Sequence, residues 1–137
     1  MTFALVLLIA FADITAVKSE PDLEKRSELA LANADRAIDE AKEAYNSGND
    51  KAQQAALTEV QESVAASYEA LEHTNKAPRR SKYYKNAELK VRALIRRLGS
   101  FREEVGFETR QSVDAVIKKL SDVHDQLIND VMSKKRN

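Results

Sequence analysis

Tyr84, Ala87, Val91, Leu94, Leu98, Phe101 and Val105 recur at alternating spacings of three and four. That period puts all seven on one stripe of a helix and on no single face of a strand. Sustained over three heptads, such a stripe needs another helix to cover it. The chain is therefore expected to fold as helix on helix, and the breaks in the pattern set the number of helices.

Three more segments carry the same period. Leu23, Ala30, Ala34, Ala37, Ile38, Ala41 and Tyr45 form one inward stripe, and its alanines predict close approach by a neighbour. Ala56, Leu57, Val60, Val64, Tyr68 and Leu71 form a second. Val113, Val116, Ile117, Leu120, Val123, Leu127 and Val131 form the last. Between them lie stop signals. Asn46-Ser47-Gly48-Asn49-Asp50 reads as a tight turn, with Gly48 left-handed and Asn49 or Asp50 as the next cap. Pro78 cannot continue a helix, and Ser81 suits the start of the third. Gly106 is expected to end that helix, with Phe107 tucked over the junction. Gly99, beside the seam, marks a kink or a close packing point. Ser19 is expected to cap the first helix, with Pro21 in its first turn. The last helix is expected from Glu108 or Thr109 to Lys134, with Lys134-Lys135-Arg136 at the negative end of its dipole. With three Gly, two Pro and no Trp, little interrupts helix elsewhere. The predicted fold class is all-α: an up-down-up-down antiparallel four-helix bundle of helices about 24–28 residues long, joined by short links.

Phe3 to Ala12 is an unbroken apolar run. It is about ten residues, well short of the roughly 20 that span a bilayer and in the range of a signal-peptide core. Met1-Thr2-Phe3 lacks the usual basic residue, and the first Lys is Lys18. Ile14-Thr15-Ala16 fits a small-x-small cleavage site at a better distance than Ala10-Phe11-Ala12. The expected organisation is a signal peptide at 1–16 and a bundle domain at 17–137, with a periplasmic or secreted product. Membrane attachment is expected only if the signal is retained. No Cys is present, which excludes disulfides, c-type haem attachment and Cys-based zinc or iron–sulfur sites.

The formal charge is zero, but it is unevenly placed. Val17 to Pro78 holds seven basic and thirteen acidic residues, net −6. Arg79 to Asn137 holds fifteen basic and eight acidic, net +7. Within Arg79 to Arg102, nine basic residues face one acid, Glu88, net +8. Either an acidic hairpin packs beside a basic one, or the third helix holds an anionic partner. The candidate binding residues are Arg79, Arg80, Lys82, Lys85, Arg92, Arg96 and Arg97, whose role would be electrostatic contact with an anionic envelope component or an acidic protein face.

Other chemistries find little support in the spacing. A di-metal carboxylate bundle needs Glu-x-x-His on two helices, but Ala70 precedes His73 and Ser121 precedes His124 at that offset. A b-type haem would need a second axial ligand facing His124, and Met132 lies on the same helix. No metal and no cofactor is expected. Arg79-Arg80-Ser81-Lys82-Tyr83-Tyr84-Lys85 mixes cations with rings, as nucleic-acid sites do. An exported chain seldom meets nucleic acid, so Tyr84 is read as a core anchor and no nucleic acid is expected. Tyr45 to Ala52 resembles the mid-repeat turn of tetratricopeptide repeats, but no second copy follows at a period of about 34 residues.

The block from Arg36 to Ala70, with Ala87-Glu88-Leu89-Lys90-Val91-Arg92, Leu94-Ile95-Arg96-Arg97-Leu98 and Val123-His124-Asp125-Gln126-Leu127, resembles a set of uncharacterised exported helical proteins of bacteria. The resemblance implies bacterial export and an all-helical domain, and it supplies no activity and no site residues. The functional expectation is a non-enzymatic binding module that uses a basic face on its third helix. The alternative is a purely structural, self-associating bundle whose basic helix pairs with its own acidic hairpin. N-terminal sequencing of the exported protein is expected to start near Val17, and soluble cytoplasmic protein retaining Met1 would refute the export reading.

Overall fold

A computed structural model describes residues 14–133. Among these the chain is all-helical. Residues 14–19 form a short helical stretch. The long helices are α1 (Leu23–Asn46), α2 (Asp50–His73), α3 (Lys82–Glu104) and α4 (Phe107–Met132), with a 3-10 turn at Pro78–Arg80. The apolar run from Phe3 to Ala12 and the Lys134-Lys135-Arg136 cluster lie outside the described residues. None of the described helices is long and apolar enough to cross a membrane.

Each boundary has a local cause. Asp22, not Ser19, caps α1: its carboxylate accepts from the backbone N–H groups of Glu24 (3.1 Å) and Lys25 (3.2 Å). The Ser19 hydroxyl is used one element earlier, where it donates to the Ala16 carbonyl at 2.9 Å. Two carboxylate bonds at the positive end of the dipole outweigh one neutral hydroxyl three residues upstream. Gly48 takes φ 71° and turns the chain, and Asn49 caps α2 by accepting from the Ala52 N–H at 3.0 Å. Ser81 caps α3 in the same way, accepting from the Tyr84 N–H at 3.3 Å.

The α3–α4 junction differs from expectation. α3 ends at Glu104, and Gly106 is the N-cap of α4, not the end of α3. The Gly106 N–H donates to the Tyr45 hydroxyl at 3.0 Å, which ties the turn to the end of α1. Tyr45 also stands edge-on to Phe101, ring centres 6.0 Å apart. With Tyr45 and Val105 filling the corner, Phe107 is displaced outward and is 73% exposed, not tucked over the junction. Gly99 is no close packing point: a Cβ built there meets nothing within 4 Å.

The long helices pack as two antiparallel hairpins. In the first, Ser27 meets Ser67 and Asn33 meets Ser63, so residue numbers rise on α1 as they fall on α2. In the second, Glu88 meets His124 and Arg102 meets Asp114. Between hairpins the neighbours run parallel. Asp35 lies beside Lys90 and Tyr45 beside Phe101 across α1 and α3. Gln54 meets Ser112 and Tyr68 meets Asp130 across α2 and α4. α1 and α4 do not meet among the described residues. The core lies where the four stripes converge, and all seven residues of the α3 seam are buried.

The α1–α2 contact is part alanine, part polar. Ala30, Ala34, Ala37 and Ala41 are fully covered. Ser27 and Ser67 hydroxyls bond at 2.7 Å, and Asn33 Nδ2 donates to Ser63 Oγ and Glu59 Oε2, both at 2.9 Å. Arg36 adds bonds to Asn33 Oδ1 and Glu59 Oε2, both at 2.6 Å. A one-turn slip would leave these buried groups unpaired, so the network sets hairpin register at a cost of about 1–3 kcal/mol per orphaned group.

Leu94 and Leu98 have no exposed surface. Replacing either with Ala is expected to cost about 2–5 kcal/mol. Gly99→Ala, on an open helix interior, is expected to raise stability by about 0.5–1 kcal/mol. Urea unfolding of the three variants checks both signs.

Candidate functional site

The α3 heptad stripe points inward, so its remaining positions spread the basic residues over three different environments. Arg97 falls beside α1. Its guanidinium donates to the Asp35 carboxylate, to the Asp39 carboxylate and, at 2.9 Å, to the Asp35 carbonyl. Lys90, seven residues earlier, reaches the other Asp35 oxygen at 2.7 Å. Together these four side chains bolt the two hairpins to each other.

Arg92 takes a second role. Its Nε and Nη2 donate to Glu88 Oε2 at 2.9 and 2.6 Å. The same oxygen accepts from His124 Nε2 of α4 at 2.7 Å, where the carboxylate can only accept. Arg102 likewise pairs with Asp114 of α4 and with Glu103 at 3.2 Å. His73 Nδ1 lies 2.7 Å from the Glu69 carbonyl one turn back. The two histidines sit on different helix pairs. Among the described residues no group of three or more His, Asp or Glu side chains is placed to hold a metal ion.

The third environment is solvent. Arg79, Arg80, Lys82, Lys85 and Arg96 are exposed, and no ion pair holds them among the described residues. Lys82 Nζ lies over the Tyr83 ring, 5.2 Å from its centre, a cation–π contact. The seven candidate residues therefore do not act as one stripe. Arg97 and Arg92 are engaged within the fold, and four of the five free cations cluster in the seven residues from Arg79 to Lys85. Leu89, 54% exposed, stands in the gap between Lys85 and Arg96.

The sequence signal missed Asp35. An acid next to Ala34 of the alanine stripe reads as a solvated residue, yet it receives two cations from α3. Its partners are visible only once α1 and α3 are known to lie side by side. No family model, curated protein or solved structure matches the chain.

Burial alone would push the Asp35 carboxyl up, but the bonds from Lys90 and Arg97 more than offset it and hold the group below its ordinary value. Glu88 is held low for the same reasons, through His124 and Arg92. A carboxyl depressed in the folded state stabilises the fold above the ordinary range, about pH 4–5. That stability is lost as the pH falls through the folded-state value, because the unfolded chain binds the proton first. Asp35→Asn and Glu88→Gln are each expected to cost on the order of 1 kcal/mol at pH 7. Thermal melts at pH 7 and pH 3 should show the gap between wild type and each variant narrowing at the lower pH.

Proposed function

We propose that this is an exported, non-enzymatic four-helix bundle that binds an anionic partner through the exposed cations at the start of α3. The observation that carries the reading is the split among the basic residues of α3 and the 3-10 turn before it. Lys90, Arg92, Arg97 and Arg102 are taken up by carboxylates, while Arg79, Arg80, Lys82, Lys85 and Arg96 are not. A surplus of like charge on one end of a neutral protein repels itself, and a partner of opposite sign removes that cost. An anionic envelope component or an acidic protein face meets the requirement. The apolar run ahead of residue 14 supports export, with cleavage after Ala16 and a periplasmic or secreted product resembling exported helical proteins of bacteria.

The second reading is a self-contained structural bundle, homo-oligomeric or not, whose basic helix serves its own acidic hairpin. The Arg97–Asp35–Lys90 cluster favours it for those three residues.

The two readings separate on a heparin column and in a melt. Changing Arg79, Arg80, Lys82 and Lys85 together to Gln is expected to lower the salt needed for elution strongly and to leave Tm nearly unchanged, since exposed charges contribute about 0–1 kcal/mol each at most. Changing Lys51, Lys118 and Lys119, exposed elsewhere, removes three of those charges and should shift elution much less per charge. Changing Arg97 to Gln is expected to lower Tm with little effect on elution. An equal elution shift per charge removed in the two variants would leave the structural reading.

A further inference from the structure

The link between α2 and α3 is folded, not loose. Asn75 adopts φ 57°, the Thr74 hydroxyl donates to the Leu71 carbonyl at 2.6 Å, and Thr74 Oγ1 accepts from the Lys76 N–H at 3.3 Å. Pro78 is buried and opens the 3-10 turn. Lys76 Nζ then reaches across to the Glu24 carboxylate in the first turn of α1 at 2.9 Å, which ties the link to the first hairpin. The result is a hollow of about 390 Å³ lined by Glu24, Lys76, Ala77, Arg80, Ser81, Lys82 and Tyr83.

Three cations and one carboxylate line this hollow, and the Asp22 carboxylate acts on Lys76 from beside it, so the positive surplus rests on Arg80 and Lys82. The carboxylate is already bonded to Lys76, and Lys82 is held over the Tyr83 ring. Arg80 has no carboxylate partner among the described residues, and its planar fork suits two oxygens of a tetrahedral anion. From this geometry we infer that the hollow is a binding site for a phosphoryl dianion, with Arg80 and Lys82 as its direct contacts and Lys76 as a cation shared with Glu24. The inference rests on the anionic-partner reading above and names the group on that partner that is recognised. Inorganic phosphate and a phosphomonoester lipid headgroup offer the same chemistry.

Glu24 gives the site a built-in competitor. It neutralises Lys76 and repels an incoming dianion. Removing its charge therefore frees Lys76 and is expected to tighten anion binding.

The test is a titration of the full chain with sodium phosphate, against sodium chloride at matched ionic strength, followed by amide chemical shifts. Wild type is expected to show saturable shifts confined to residues 76–83 and the first turn of α1 around Glu24 with phosphate and none with chloride. The double variant Arg80→Gln/Lys82→Gln should weaken phosphate binding at least fivefold, and Lys118→Gln/Lys119→Gln on α4, outside both the hollow and the basic surface, less than twofold. Glu24→Gln should tighten it severalfold. Phosphatidylcholine vesicles with and without phosphatidic acid then distinguish the source: binding only to the phosphatidic acid vesicles assigns the headgroup, and no vesicle binding assigns the free anion. Shifts that do not saturate, that chloride reproduces, or that survive in the Arg80/Lys82 variant overturn the site. If the heparin result stands while phosphate fails to saturate, the hollow is wrong and the broader basic surface is not.

Discussion

Ala30, Ala34, Ala37 and Ala41 set the distance at which α2 and α3 can approach α1. A larger side chain at any of them would push a neighbour away by more than a hydrogen bond tolerates. Because α1 is approached closely, Ser27 can touch Ser67 and Asn33 can span two acceptors on α2. For the same reason Asp35 comes within reach of both Lys90 and Arg97 on the other side. The polar contacts thus depend on the apolar spacing, and α1 meets one helix of each hairpin, α2 in its own and α3 in the other.

That dependence explains how the charge on α3 is divided. A residue seven positions from another on a helix returns to nearly the same face, so Lys90 and Arg97 both look toward α1. Arg92 and Glu88, four apart, meet along α3 itself, and His124 closes the group from α4. Lys82, Lys85 and Arg96 follow the outer face at offsets of three and eleven, away from both neighbours. What distinguishes a fold-holding cation from a free one here is its angle around the helix, not its chemistry.

Some of this was legible in the sequence. The α3 seam could be read because every member is apolar and the period is unbroken, and all seven residues are buried. The turn at Gly48 and the caps at Asn49 and Ser81 could be read because each uses a residue type with a specific local bond. The buried polar residues could not. Ser27, Asn33, Gln53, Ser63 and Ser67 are covered as well as the alanines are, yet a hydrophobic period counts them as outside. Phe107 failed in the other direction: an aromatic residue at a helix start is apolar by type, but Tyr45 had already taken the space beneath it. The basic stripe was legible as composition and illegible as geometry, since an up-down-up-down order makes α1 and α3 parallel but does not say that they pack side by side.

Most of the free charge on this side of the fold is left at one end of the molecule for the same reason. Parallel packing of α1 against α3 brings the first turns of both helices together, so the acids near the start of α1 face the cations near the start of α3. Glu24 is the one that engages, and it does so through Lys76 of the link, not through α3 itself. The acidic residues further along α1, Asp35 and Asp39, are the ones that neutralise α3 directly. Internal pairing therefore occupies the middle of α3 and stops short of its first turn. The surplus left there follows from where the α1 carboxylates fall along the shared axis, and a partner for the protein would have to be built to meet that end.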